Sequence, residues 1–122
     1  MFKITLESID GRLVCQPEGD LDAAHAASLR ASFGALAQPT AVVIDLTGVP
    51  FLDSAGLGAL VGGVRRIREA GGSVTVCAGR RSIARVLRTV GFDRVVTLVD
   101  TLGEALAVPF EDGRVVLAAG AG

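Results

Sequence analysis

Ser54 is the residue on which chemistry is most readily imagined in this chain. It lies in the segment Phe51-Leu-Asp-Ser-Ala-Gly-Leu-Gly58. Before it runs the unbroken apolar stretch Ala41-Val-Val-Ile44, which suits a strand buried on both faces. After it, Leu57, Leu60, Val61, Val64 and Ile67 recur at helical spacing. Ser54 is therefore expected at the first turn of a helix, where free backbone N–H groups and the positive end of the helix dipole favour an anion. A phosphate there would add about −1.5 to −2 charges and three strong acceptors. Asp53 beside it would repel that charge. Ala55, Gly56 and Gly58 keep the surroundings small, so that another protein's active site could approach the hydroxyl. The plainer account is that Asp53 or Ser54 is an N-cap, since both types are preferred there. The two accounts are compatible, because a capping residue can also be modified.

Two enzyme readings compete and fail on spacing. A nucleophile elbow requires Gly-x-Ser-x-Gly, and Leu52 occupies the first glycine position. His25, the only histidine, is the one candidate base. A dinucleotide site requires a glycine turn between strand and helix. Gly56, Gly58 and Gly62 have the wrong spacing, and Gly58 and Gly62 fall inside the expected helix. Cys15 and Cys77 match no zinc pattern and read as buried free thiols. No catalytic or metal site is expected. Asp45 interrupts an apolar run near a strand end, where it is either a rim carboxylate or a hydrogen-bonded structural acid.

The elements that must position Ser54 follow from periodicity. Phe2, Ile4 and Leu6 alternate with polar residues, as in a half-buried strand. Asp10-Gly11 offers a primed two-residue hairpin turn into a strand through Leu13-Val-Cys15. Asp20 and Asp22 are candidate caps for a helix with Ala26, Leu29, Phe33 and Leu36 on one face, ended by Gln38-Pro39. Val74-Thr-Val-Cys77 is a strand after Gly71-Gly72. Ile83, Val86, Leu87 and Val90 mark a helix closed by Gly91. Arg94 to Val99 is a last strand, and Thr101 with Glu104 forms a capping box for a short helix. The expected fold class is α/β: a mixed, mainly parallel sheet of about five strands with four helices.

Half of the 122 residues are hydrophobic and a fifth are charged, which indicates one globular domain. The net charge is −1, unevenly distributed. Residues 65–94 hold eight arginines against Glu69 and Asp93, while the flanking parts are acidic. Without tryptophan or tyrosine for stacking, this stretch reads as a solvated face, or next as a protein-docking face, and not as a nucleic-acid site. No apolar run is long enough for a membrane helix, and the N-terminus lacks a signal-peptide pattern. A soluble cytoplasmic protein is expected.

Val43-Ile-Asp-Leu46, Phe51-Leu-Asp-Ser-Ala-Gly-Leu-Gly58 and Gly71-Gly-Ser-Val-Thr-Val76 together resemble the STAS domains, and among them the anti-sigma-factor antagonists. Gly19-Asp-Leu-Asp22 resembles an earlier element of the same family. The resemblance implies a STAS domain over residues 1–108. Residues 109–122 are left as an extension, either a loose tail or a hairpin turned at Asp112-Gly113. It implies a phospho-switchable binding module, with no enzyme activity and no cofactor. Its partners would be an anti-sigma factor that is itself a serine kinase, and a serine phosphatase, with no nucleic acid or membrane. A monomer or weak homodimer is expected. Ser54 matches the phosphorylated position. Asp20, Asp22, Asp53, Ala55, Gly56, Leu57 and Gly58 match the partner-binding region. Ala55 departs from the serine or threonine common there. The alternative role is a structural STAS subunit of a stress-signalling scaffold or a lipid-transport complex.

Overall fold

The computed structural model describes residues 2–35 and 41–109. Five strands form one sheet in the order β1-β2-β3-β4-β5. They are β1 (Lys3–Ile9), β2 (Arg12–Glu18), β3 (Ala41–Asp45), β4 (Ser73–Cys77) and β5 (Thr97–Val99). β1 and β2 pair antiparallel through the Asp10-Gly11 turn, where both residues take positive φ, 51° and 80°. That is the geometry a primed hairpin needs. The remaining pairs are parallel. β2 pairs with β3 only over Leu13–Cys15, so the parallel ladder ends before Pro17.

Helices α1 (Ala26–Gly34), α2 (Ser54–Glu69), α3 (Arg81–Thr89) and α4 (Leu102–Ala107) connect and follow the strands. Each of the first three joins a strand to its parallel neighbour in the same direction across the sheet. Right-handed crossovers then place all three on one face. The core agrees: Leu29 and Phe33 of α1, Leu60 and Val64 of α2, and Ile83 and Leu87 of α3 pack with Val42, Ile44 and Val76. On the opposite face Val14, Val43 and Cys77 pack with Ala105 of α4. The alternation of Val42, Val43 and Ile44 between the two clusters is the period-2 rule applied to a strand covered on both sides. Every residue of β3 is buried.

Several expectations need correction. Neither Asp20 nor Asp22 caps α1, whose N-cap is His25 without a side-chain hydrogen bond. Asp22 instead closes the turn before the helix, its carboxylate accepting from the His25 amide at 3.2 Å. The strand expected from Arg94 shortens to Thr97–Val99, because Phe92–Arg94 winds into a 3-10 turn that buries Phe92. Leu6 lies on the same face as Ile4 and Cys15 but is 43% exposed, because β1 is the edge strand of the sheet and only its start packs on the core of that face. Val86 and Val90 are exposed on α3, where Ala84 joins Ile83 and Leu87 in the core. The capping box of Thr101 and Glu104 is present. Cys15 and Cys77 are buried free thiols. Leu36, Gln38-Pro39 and the segment from Phe110 lie outside the described residues.

Candidate functional site

The C-terminal ends of β2 and β3 open into two loops that are hydrogen-bonded to each other. Gly19 N–H donates to the Gly48 carbonyl at 2.9 Å, and Leu21 N–H to the Phe51 carbonyl at 2.9 Å. Leu21 and Leu52 form a parallel bridge outside the main strands. Asp53 then fastens the platform to α2. Its amide donates to the Leu21 carbonyl at 3.2 Å. One carboxylate oxygen accepts from Gly56 N–H at 2.9 Å, and the other accepts from Ala23 N–H at 3.2 Å. Asp53 is thus the N-cap of α2, in extended conformation, and also the tie between both loops.

Ser54 is the first residue of α2 and is exposed. The amides of Ser54 and Ala55 have no hydrogen-bond acceptor among the described residues, while the next two serve Asp53. Two donors at the positive end of a sixteen-residue helix therefore remain beside the hydroxyl. Lys3 pairs with Glu18 at the end of β2 at 3.5 Å, and no arginine or lysine is ion-paired to Asp53 among the described residues.

Gly56 packs against the Leu21 carbonyl so closely that a Cβ would lie 1.9 Å from its oxygen. That contact makes glycine obligatory between the two loops. Gly58 is the opposite case: it is exposed, and a Cβ there would meet nothing within 4 Å. Ala55 and Leu57 are half-buried. Phe51, half-exposed at 50%, stands three residues before Ser54 and was not singled out from sequence. The signal was a large aromatic at a strand-to-helix loop, but exposure is decided by neighbours that the sequence does not rank.

The two early aspartates divide in role. Asp20 is exposed, and its carboxylate has no partner among the described residues. Asp22 is committed internally, with its carboxylate 2.8 Å from His25 Nδ1. The Asp20 carbonyl lies 2.9 Å from the same nitrogen. Two acceptors on Nδ1 place a proton there. The His25 ring stacks on Phe2 with centroids 4.5 Å apart. No hydrogen bond joins His25 to Ser54 among the described residues.

Beneath the platform, Asp45 is 3% exposed and fully hydrogen-bonded. It accepts from Gln16 Nε2 at 2.9 Å and from the amide and hydroxyl of Thr47 at 3.0 and 2.8 Å. Burial opposes its charge, but these donors and the Cys77 thiol outweigh burial and hold the carboxyl below its usual range. It is a structural acid that fixes the turn after β3. Burial first, then the Asp45 charge, pushes the Cys77 thiol up to about 12. Among the described residues no group of side chains is arranged to hold a metal ion.

The STAS domain profile matches residues 3–105. This chain belongs to the STAS domain family. It is 32% identical over 105 residues to the anti-sigma-F factor antagonist RsfB of Mycobacterium tuberculosis, covering 84% of this STAS chain and 85% of that relative. It is 27% identical over 108 residues to the anti-sigma F factor antagonist of Paenibacillus polymyxa, covering 86% and 92%. The crystal structure of an anti-sigma factor antagonist from Mycobacterium paratuberculosis superposes with a TM-score of 0.73 at 31% identity, covering 87% of this chain and 92% of that one. The five-stranded mixed sheet and four helices are thus those of a single STAS domain.

Proposed function

We propose that this STAS domain is an anti-sigma-factor antagonist whose binding is switched by phosphorylation of Ser54. Unmodified, it sequesters an anti-sigma factor and so frees a sigma factor for transcription. The anti-sigma factor is itself a serine kinase; it phosphorylates Ser54 and is released. A serine phosphatase resets the switch. The observation that carries this reading is the exposed Ser54 at the first turn of α2, on a platform that Asp53 ties together through Ala23 and Gly56. The relatives named as anti-sigma factor antagonists support it over most of the chain.

The geometry gives the switch a physical basis. A phosphate on Ser54 would find the free amides of Ser54 and Ala55, so the helix tolerates it. It would also stand beside Asp53, which has no arginine or lysine partner among the described residues. The surface therefore becomes strongly anionic without the fold being disturbed. Asp20, Phe51, Leu57 and Gly58 complete the partner-facing surface, with Gly56 and Asp22 shaping it from within. The domain acts by binding in the cytoplasm and performs no catalysis of its own.

Incubation with ATP and a serine-kinase anti-sigma factor should label the wild-type protein and leave Ser54→Ala unlabelled. Equal labelling of the two would overturn the assignment of Ser54.

A further inference from the structure

The positive charge of this chain is concentrated on one stretch, and the ion pairs among the described residues make no use of it. Eight arginines lie between residues 65 and 94, against Glu69 and Asp93. The ion pairs among the described residues, Lys3 with Glu18 and His25 with Asp22, involve none of them. Unpaired exposed charges of one sign attract an anionic partner.

Two of these arginines flank an apolar depression. A groove of about 400 Å³ runs between α2 and the 3-10 turn at Phe92–Arg94. Val61, Val64 and Phe92 form its apolar lining, Val95 stands 46% exposed, and Arg65 and Arg68 add the charge. Arg68 Nη1 donates to the Val95 carbonyl at 2.6 Å, which holds its side chain across to the facing turn. Glu69 is the carboxylate that also lines the groove.

We propose that this groove is a second docking site, and that it receives an acidic amphipathic helix from the protein that engages Ser54. The proposal rests on the reading of Ser54 only for which protein presents the helix. Apolar lining and cationic flanks complement a helix whose apolar stripe is bordered by carboxylates. A nucleic acid would satisfy the charge and leave the apolar lining uncovered. A membrane surface would cover flat or convex apolar patches better than a groove. The groove also continues the line of Ser54 along α2. Leu57, Val61, Arg65 and Arg68 follow it at intervals of three and four, on one side of the helix. At 1.5 Å per residue, Arg65 lies about 16 Å from Ser54, within reach of one partner domain.

The test uses the full chain and a fluorescein-labelled peptide of about 18 residues with leucine at helical spacing and glutamate elsewhere. Fluorescence anisotropy should show binding that weakens at high salt. Arg65→Glu with Arg68→Glu should weaken it by roughly tenfold or more, and Arg65→Glu alone should lower it in the same direction. Arg80→Glu with Arg81→Glu changes the net charge equally and should cost less than about threefold. Ser54→Asp should leave peptide affinity unchanged. Equal losses in the two double variants, no peptide binding, or binding only to phosphatidylserine vesicles would overturn the proposal. Loss of Ser54 labelling with peptide binding intact would overturn the switch and leave the groove standing.

Discussion

At the scale of single residues, the platform separates positions that hold structure from positions that face outward. Asp53 holds structure: it caps α2 and ties it to Ala23. Asp53→Ala should cost about 0.5–2 kcal/mol of stability, read by urea denaturation. Phe51 faces outward, so Phe51→Ala should leave the urea midpoint nearly unchanged and weaken binding to the anti-sigma factor in a pull-down titration. Ser54→Asp should also weaken that binding while melting like wild type; tighter binding would contradict the electrostatic argument. Asp20 and Asp22 read alike in the sequence as candidate caps. Folding gives Asp22 to His25, whose ring also stacks on Phe2, and leaves Asp20 exposed with its carboxylate unpaired among the described residues. The stack of Phe2 on His25 brings together residues far apart in the chain, and local pattern carries no trace of it.

At the scale of elements, α2 is a helix with a packed side and an open side, and its glycines divide accordingly. Gly56→Ala would drive a methyl group into the Leu21 carbonyl, so it should destabilise the domain by about 1–3 kcal/mol or more. Gly58→Ala meets nothing, so it should stabilise the helix by up to about 1 kcal/mol. The same substitution should weaken partner binding if the partner approaches the helix here. A thermal melt alongside a binding titration separates the two effects. The periodicity of α2 marked Leu60, Val64 and Ile67 correctly, whereas Leu57 and Val61 came out half-buried. Both lie on the border of the apolar stripe, and only the neighbouring elements decide how far a border residue is covered. The last strand is shorter than its sequence pattern for a related reason. Phe92 buries itself by winding a 3-10 turn, and tertiary contact overrides the extended pattern of Arg94 to Val96.

At the scale of the whole molecule, the polar cluster under the platform couples stability to pH. The Asp45 carboxyl is held below its ordinary value of 3.8, so its contribution is present above that value and lost as pH falls through the folded one. Asp45→Asn should therefore flatten the acid limb of a stability–pH curve below about pH 4. The two thiols act at the other end. Cys15 and Cys77 are raised from 9.0 to about 11 and about 12, so their contribution is complete below pH 9.0 and lost as pH rises toward those values. Cys77→Ala should reduce the alkaline loss, as read by urea midpoints at stepped pH. The α/β class, the Asp10-Gly11 hairpin, the buried β3 and the capping box at Thr101 were legible because each follows from near neighbours in the chain. So was the position of Ser54 at a helix start, since an apolar run followed by helical periodicity brackets it. Tertiary structure alone decided what surrounds that serine. The bonds from Leu21 to Phe51 and Asp53, the fit of Gly56 against the Leu21 carbonyl and the groove beside Arg65 all join segments that meet only when the sheet forms. Spacing within one segment can locate a residue on its own element, and it cannot specify which other element will stand against it.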